Sequence, residues 1–315
     1  MNNPDGAAPL TDRAYEGEHD LVAMLDLLME ARAQTNDWRY AHVGELLFRF
    51  LTVARHLDAH EYIRLWHAQG RLVAYALLGE DPLFDWQVLP EWEWRGIEEQ
   101  ALAWAQRLLE PLRPRDPARW GGALVSGARR DDLPRRAFLE RNGFQPGGEF
   151  SEVNMLCRLD QPLPASELPP GCVLRSVLEP DLPARAEAHR VVWLPWTDGE
   201  VSDEDYAFFA RLPGYRHELD LIAVAPDGVI AAFVNGWLDT RNGIGDLGPV
   251  GAHPEYRRQG FTRAVLYECL RRMQAAGMLR ACVSTGVSNT AAIRLYTSVG
   301  FQIVNQYDEY QQAVT

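Results

Sequence analysis

Between Gly245 and Phe301 the chain sets residues that can do chemistry at short, regular spacing. Arg257-Arg258-Gln259-Gly260-Phe261-Thr262-Arg263 follows a strand-like run. A helical pattern follows it, with Val265, Leu266, Cys269, Leu270 and Met273 at three- and four-residue intervals. Gly260 permits a tight turn and lets the backbone come close to a ligand. A helix start behind that turn offers unpaired N–H groups and the positive end of a dipole, which together suit a pyrophosphate. The same strand–turn–helix also serves as a plain connection, so spacing alone leaves both open. Trp193 and Trp196, followed by Asp198 and Glu200, combine indole faces with carboxylates. Such a set can receive an amine with an apolar or ring-bearing body, and core packing accounts for at least one indole equally well.

The turn resembles motif A of the GNAT N-acetyltransferase superfamily, Gln/Arg-x-x-Gly-x-Gly/Ala. Arg257, Gly260 and Thr262 stand on its fixed positions, and Thr262 departs from Gly/Ala. Downstream, Asn289, Ala292, Leu295, Tyr296, Gly300 and Phe301 match the family's Asn-x-x-Ala-x-x-Leu-Tyr-x-x-x-Gly-Phe signature. The resemblance covers roughly the C-terminal half. It implies acetyl-CoA as co-substrate, with its pyrophosphate on the backbone of Arg257, Arg258, Gln259, Gly260, Phe261, Thr262 and Arg263. The pantetheine arm would lie along a splayed strand at Val250, Gly251 and Ala252, and Asn289 and Ala292 would complete the cofactor site. Gly251 inside a strand fits a bulge or a close ligand approach. Asn289 also fits a helix cap.

The resemblance implies Tyr296 as general acid, since a phenol near pKa 10 can protonate a departing thiolate of roughly 8–9. The register of Asp246 resembles that of mycothiol synthases, tandem members of the superfamily in which a Glu with a base role holds the matching place. Asp246 is therefore the expected base, its shorter side chain working through a water. The resemblance makes the Trp193–Trp196 connection the acceptor wall.

Positioning these residues calls for an α/β fold of the GNAT kind. The pattern of elements predicts two tandem copies of a mixed, largely antiparallel sheet flanked by helices. Residues 1–160 form the first copy, a Pro-rich linker spans 161–171, and residues 172–315 form the second. Leu89 to Gly96 stands where His253 to Gly260 stands in the second copy, with Glu93 on the Arg257 position, Glu98 on the Thr262 position and Asp132 on the Asn289 position. Two carboxylates beside a pyrophosphate would repel it. The first copy is thus expected to have lost acetyl-CoA binding.

A net charge of −13 and a pI near 5.1 argue against nucleic acid or an anionic membrane as partner. Cys157, Cys172, Cys269 and Cys282 form no metal-ligand spacing and read as free thiols of a reducing cytosol, with no metal. The start of the chain lacks a signal pattern and no run is long enough to span a bilayer, which points to the cytoplasm. The expectation is an acetyl-CoA-dependent N-acetyltransferase acting on a small-molecule primary amine, as monomer or homodimer. The alternatives are acetylation of a cysteinyl sugar amine and a non-catalytic acyl-CoA sensor.

Overall fold

A computed structural model describes residues 9–35, 39–80, 82–147, 151–165, 167–193 and 201–313. The chain divides into two compact units. Unit 1 comprises 1–42, 48–151 and 307–315, and unit 2 comprises 43–47 and 152–306. Unit membership therefore departs from the halves expected of the sequence. Residues 152–158 belong to unit 2 and residues 307–315 to unit 1.

In chain order the elements are β1 (Leu10–Ala14), α1 (Glu18–Thr35), α2 (Val43–His56), α3 (Ala59–Tyr62), β2 (Ile63–Ala68), β3 (Arg71–Leu78) and β4 (Phe84–Val88). After them come α4 (Ile97–Leu112), α5 (Pro117–Trp120), β5 (Leu124–Arg129), α6 (Leu133–Arg141), β6 (Phe144–Pro146) and β7 (Glu152–Arg158). The order then repeats with β8 (Val173–Ser176), α7 (Leu182–Trp193), α8 (Asp203–Phe209), β9 (Asp220–Val224), β10 (Ile230–Asp239) and β11 (Ile244–Ala252). It closes with α9 (Phe261–Ala275), β12 (Arg280–Gly286), α10 (Thr290–Ser298) and β13 (Gln302–Gln312).

In unit 1, β1-β2-β3-β4 form an antiparallel sheet. The edge strand β1 is paired with β2 from Leu10↔Ala68 to Ala14↔Arg64. Arg13 anchors it, donating to Asp20 at the start of α1. Beyond β4, β5 pairs with the end of β13, from Tyr307↔Arg129 to Gln312↔Leu124. β13 runs unbroken from Gln302 to Gln312.

In unit 2 the strands run in the order β7-β12-β11-β10-β9-β8, with the start of β13 next to β7. Every pairing from β7 to β8 is antiparallel except β11 with β12. One face packs on α9. Glycines make this close fit possible, since a Cβ on Gly236 would lie 2.7 Å from Cys269 Sγ, and one on Gly245 2.4 Å from Met273 Sδ. The other face carries Phe233, Ile222 and Ile230 against Ala188 and Val192 of α7. Helix starts follow local chemistry. Ser202 Oγ accepts the Asp205 N–H at 3.1 Å while Asp205 accepts the Ser202 N–H at 3.0 Å, the reciprocal cap its sequence suggests. Leu163 and Leu168 of the Pro-rich stretch pack on the unit 2 core, and Gln274 Nε2 holds the Leu159 and Gln161 carbonyls at 2.6 and 3.0 Å.

His189 of α7 is buried, its ring stacked 4.4 Å from Trp193. Burial first, then the charges of Arg185 and Arg190, hold its pKa down to about 3. An unfolded His titrates near 6.5, so unfolding takes up a proton between those two values. Stability is full above about pH 6.5 and falls as the pH drops toward 3. His189→Phe, which keeps the stacking, should lose roughly 2–3 kcal/mol less than wild type between pH 7 and 4.5. Urea unfolding at the two pH values measures this; equal losses would remove His189 as the cause.

Candidate active site

The β11–β12 joint is parallel and short. Ile244, Gly245 and Asp246 face Arg280, Ala281 and Cys282, and there the joint ends. Past Asp246, β11 stays with β10 up to Ala252, while β12 stays with β7 up to Gly286. The two strands part, and their facing edges are left without a strand partner among the described residues. The cause lies on β11. Its register with β10 breaks between Val234 and Gly236, opposite Gly248-Pro249, and a proline has no N–H to give a ladder. The bulge expected at Gly251 thus lies earlier. Gly251 pairs regularly with Phe233, and its missing Cβ makes room for the Phe233 ring, whose Cζ would be 2.1 Å away. A packed ring, not a ligand approach, explains that glycine.

Beyond Ala252 the chain makes a 3-10 turn at Pro254–Tyr256, seeded by His253, whose Nδ1 accepts the Glu255 N–H at 3.3 Å. Arg258 and Gly260 then take left-handed conformations, φ 65° and 91°. Gly260 is the N-cap of α9 and no side chain caps that helix start. The first-turn N–H groups of Phe261, Thr262 and Arg263 therefore present a positive end to an anion. Arg257 is turned back, its Nε donating to the Ala252 carbonyl at 3.3 Å. Gln259 donates to Glu255 O at 3.1 Å. The backbone, rather than these side chains, forms the cradle.

Asp246 stands where the strands begin to part. It shares a sheet face with Trp237, its register partner on β10. The Cys282 thiol donates to its Oδ1 at 3.3 Å. Trp237 is buried and donates from Nε1 to Gly248 O at 2.6 Å. Tyr296 comes from α10, within the core cluster that α9 covers, its ring edge-on to Phe301 at 5.9 Å. Burial, then the Asp246 charge, pushes its phenol well above the ordinary range. The Asp246 carboxylate thus stands where the strands part, and its charge reaches the buried, neutral phenol of Tyr296. Asn289 caps α10, its Oδ1 accepting the Ala292 N–H at 3.1 Å. Val250 and Ala292 are partly buried against the same core.

Trp193 ends α7 and stacks on His189 and, at 6.1 Å, Phe233. Trp196, Asp198 and Glu200 lie outside the described residues. Sequence reasoning missed the start of α2. Residues 43–47 belong to unit 2, and a Cβ on Gly44 would lie 2.3 Å from Trp237 Cδ1 and 3.0 Å from Asp246 Oδ2. A glycine at the second position of α2 is the signal the sequence carries. Among the described residues no His/Cys/Asp/Glu group could hold a metal, and no helix is long and apolar enough to cross a membrane.

A mixed sheet parted at one parallel joint, with an uncapped helix start beyond the parting, defines the class as an α/β acyl-transfer fold. Residues 186–301 match the model of the acetyltransferase (GNAT) family. The mycothiol acetyltransferase of Thermobispora bispora is 30% identical over 194 residues, covering 58% of this chain and 63% of that protein. The match thus spans under two thirds of that relative's length. A GCN5-related N-acetyltransferase from Sphaerobacter thermophilus shares the fold with a TM-score of 0.65 at 23% identity, over 96% of this chain and 95% of its own. A tandem GNAT protein from the clavulanic acid biosynthesis pathway does so with a TM-score of 0.61 at 16% identity, over 98% and 100%.

Gly44→Ala drives a methyl group into Trp237 and toward Asp246. It should cost about 1–3 kcal/mol in stability, as overpacking does. Thermal unfolding reads the effect; a variant as stable as wild type would mean that Trp237 has room to move.

Proposed function

We propose that unit 2 is an acetyl-CoA-dependent N-acetyltransferase that passes the acetyl group directly to a primary amine of a small molecule. The observation that carries this is the parting of β11 from β12 just past Asp246, and the charge of Asp246 reaching the buried Tyr296 phenol supports it. The uncapped start of α9 supports a seat for the pyrophosphate. The free edge of β11 at Val250, Gly251 and Ala252 suits a pantetheine arm added as a strand, with an N–H to polarise the thioester carbonyl.

In the proposed reaction the amine nitrogen attacks the thioester carbon and the C–S bond breaks. The amine's proton goes to Asp246, and the departing sulfur takes one from Tyr296. The raised pKa of Tyr296 bears on the order of events. With Asp246 ionised, the phenol is a poor acid for a thiolate of roughly 8–9. Once Asp246 holds the amine's proton, its contribution to that shift is gone. The base step thereby strengthens the acid when the thiolate forms.

A cysteinyl sugar amine is the more specific acceptor. The name of the Thermobispora bispora relative and the register of Asp246 favour it. Thiol release from acetyl-CoA across polyamines, aminoglycosides, amino acids, peptides and cysteinyl sugars tests both levels. Asp246→Asn and Tyr296→Phe should each lower kcat by about 10²–10⁴-fold. Acetyl-CoA affinity should stay within a few-fold, at one equivalent per chain. An unchanged kcat in either variant removes that residue's role. Acetyl-CoA binding without release to any amine would favour an acyl-CoA sensor.

In the same proposal Asp246→Asn takes away a negative neighbour, so the Tyr296 phenol should titrate at lower pH than in wild type. Ultraviolet difference titration, with Tyr296→Phe subtracted, reads the shift. No change would place Asp246 too far away to couple.

A further inference from the structure

Unit 1 repeats the cradle in its backbone. A 3-10 turn at Pro90–Trp92 leads to Trp94 and Gly96, both left-handed at φ 60° and 95°, and Gly96 is the N-cap of α4. Arg258 and Gly260 of unit 2 take nearly the same angles, 65° and 91°. What fills the turn differs. Glu98, in the first turn of α4, curls back so that its Oε1 accepts the Trp94 N–H at 2.8 Å. A carboxylate there does what a phosphate oxygen would do, taking a turn N–H at the positive end of a helix. The cradle of unit 1 already holds its own anion.

The other oxygen of that carboxylate is unsatisfied. Glu98 is 1% exposed, and its Oε2 is buried with no hydrogen-bond partner. It lines a small pocket, partly open to solvent, together with Glu93, Asp132, Tyr40 and Trp94. The cations on the wall are Arg135 and Arg39. Arg135 is committed, with Nη2 on Asp85 at 2.7 Å, Nε on Gly127 O at 2.8 Å and Nη1 on Trp86 O at 3.1 Å. Arg39 reaches Glu93 at 3.5 Å, and the Tyr40 hydroxyl donates to the other oxygen of Glu93. Asp132 takes the Arg135 N–H at 3.1 Å, capping α6. With Arg135 answered by Asp85, three carboxylates face Arg39. An ionised carboxylate oxygen accepts and cannot donate, so Oε2 calls for an N–H or O–H donor. Burial first, with Glu99 and Glu93 adding to it, raises the Glu98 pKa, as expected of a carboxylate short of positive charge.

We propose that this cavity binds a small organic ammonium ion, which donates to Glu98 Oε2 and Glu93 and lays its carbon body against Trp94 and Tyr40. The ammonium supplies the missing donor and the missing charge, and the rings favour a cation over their faces. Acyl-CoA is refused here because Glu98 holds the place of a phosphate oxygen. The proposal stands apart from acetyl transfer in unit 2.

The experiment is a ligand-observed NMR titration of the full chain with n-butylammonium, in wild type, Glu98→Gln and Asp246→Asn. Saturable binding to wild type, weakened at least tenfold in Glu98→Gln and unchanged in Asp246→Asn, is the expected result. Asp246→Asn separates this cavity from any amine site in unit 2. Equal affinity in wild type and Glu98→Gln overturns the proposal, and so does the absence of saturable binding to wild type. If Glu98→Gln fails to fold by thermal unfolding, Glu93→Gln takes its place. A several-fold loss there supports the proposal and no loss overturns it. Two equivalents of acetyl-CoA bound per wild-type chain would also overturn it.

Discussion

The structure of unit 2 depends on how few residues join β11 to β12. Three positions pair in parallel, and beyond them, among the described residues, each strand is held on its outer side only, β11 by β10 and β12 by β7. Backbone N–H and C=O groups are obligatory hydrogen-bonding groups, so two facing edges without a strand partner form a slot that an extended, amide-bearing ligand can complete. Pro249 makes the slot durable. Opposite the register break at Asn235, it denies the ladder a donor, so β11 cannot simply close onto its neighbour. Asp246 then sits where the strands separate, and the uncapped helix start follows the end of β11 along the chain.

Holding β12 away from β11 requires something on its far side. That role falls to β7, a strand from before the Pro-rich stretch, which pairs with β12 along its length from Arg280↔Arg158 to Gly286↔Glu152. The end of β13 makes the reciprocal gift to unit 1 by pairing with β5. Neither unit is a contiguous stretch of chain. A cut in the proline-rich stretch would remove from unit 2 the strand that steadies one wall of its slot.

Local chemistry made much of this legible in the sequence. The helical periods of α7 and α9, the Ser202–Asp205 cap, the glycine turn before α9 and the motif residues Asn289 and Tyr296 depend on near neighbours. What escaped depends on partners distant in sequence. Gly251 resembles a bulge until the Phe233 ring is seen in the space its Cβ would take. Gly44 lies about two hundred residues from Trp237, and no periodicity could announce that its missing side chain makes room for Trp237 beside Asp246. Exchange of β7 and the end of β13 between halves escaped for the same reason, since a strand's pattern shows that it pairs and not with which partner. Leu10 to Ala14 were too few and too polar to stand out as a strand; β2 and Asp20 hold them.

On the two proposals above, a shared backbone leaves the choice of ligand to one side chain. Trp94 and Gly96 reproduce the angles of Arg258 and Gly260, so the N–H groups of the turn are presented in much the same way twice. At the second residue of the helix one copy has Thr262 and the other Glu98. The Thr hydroxyl carries no charge and leaves the positive end of α9 to an incoming anion. The Glu carboxylate is long enough to turn back onto the Trp94 N–H, and it neutralises that end from within. Its second oxygen then adds negative charge to a cavity that Glu93 and Asp132 already line. Replacing Glu98 by a residue of the same charge but shorter reach would separate the two effects. An Asp could not span the distance to Trp94, so the cradle would regain its open N–H while the cavity kept its negative charge. The loss of an anion site and the gain of a cation site are in this view one event, because the same carboxylate closes the first and charges the second.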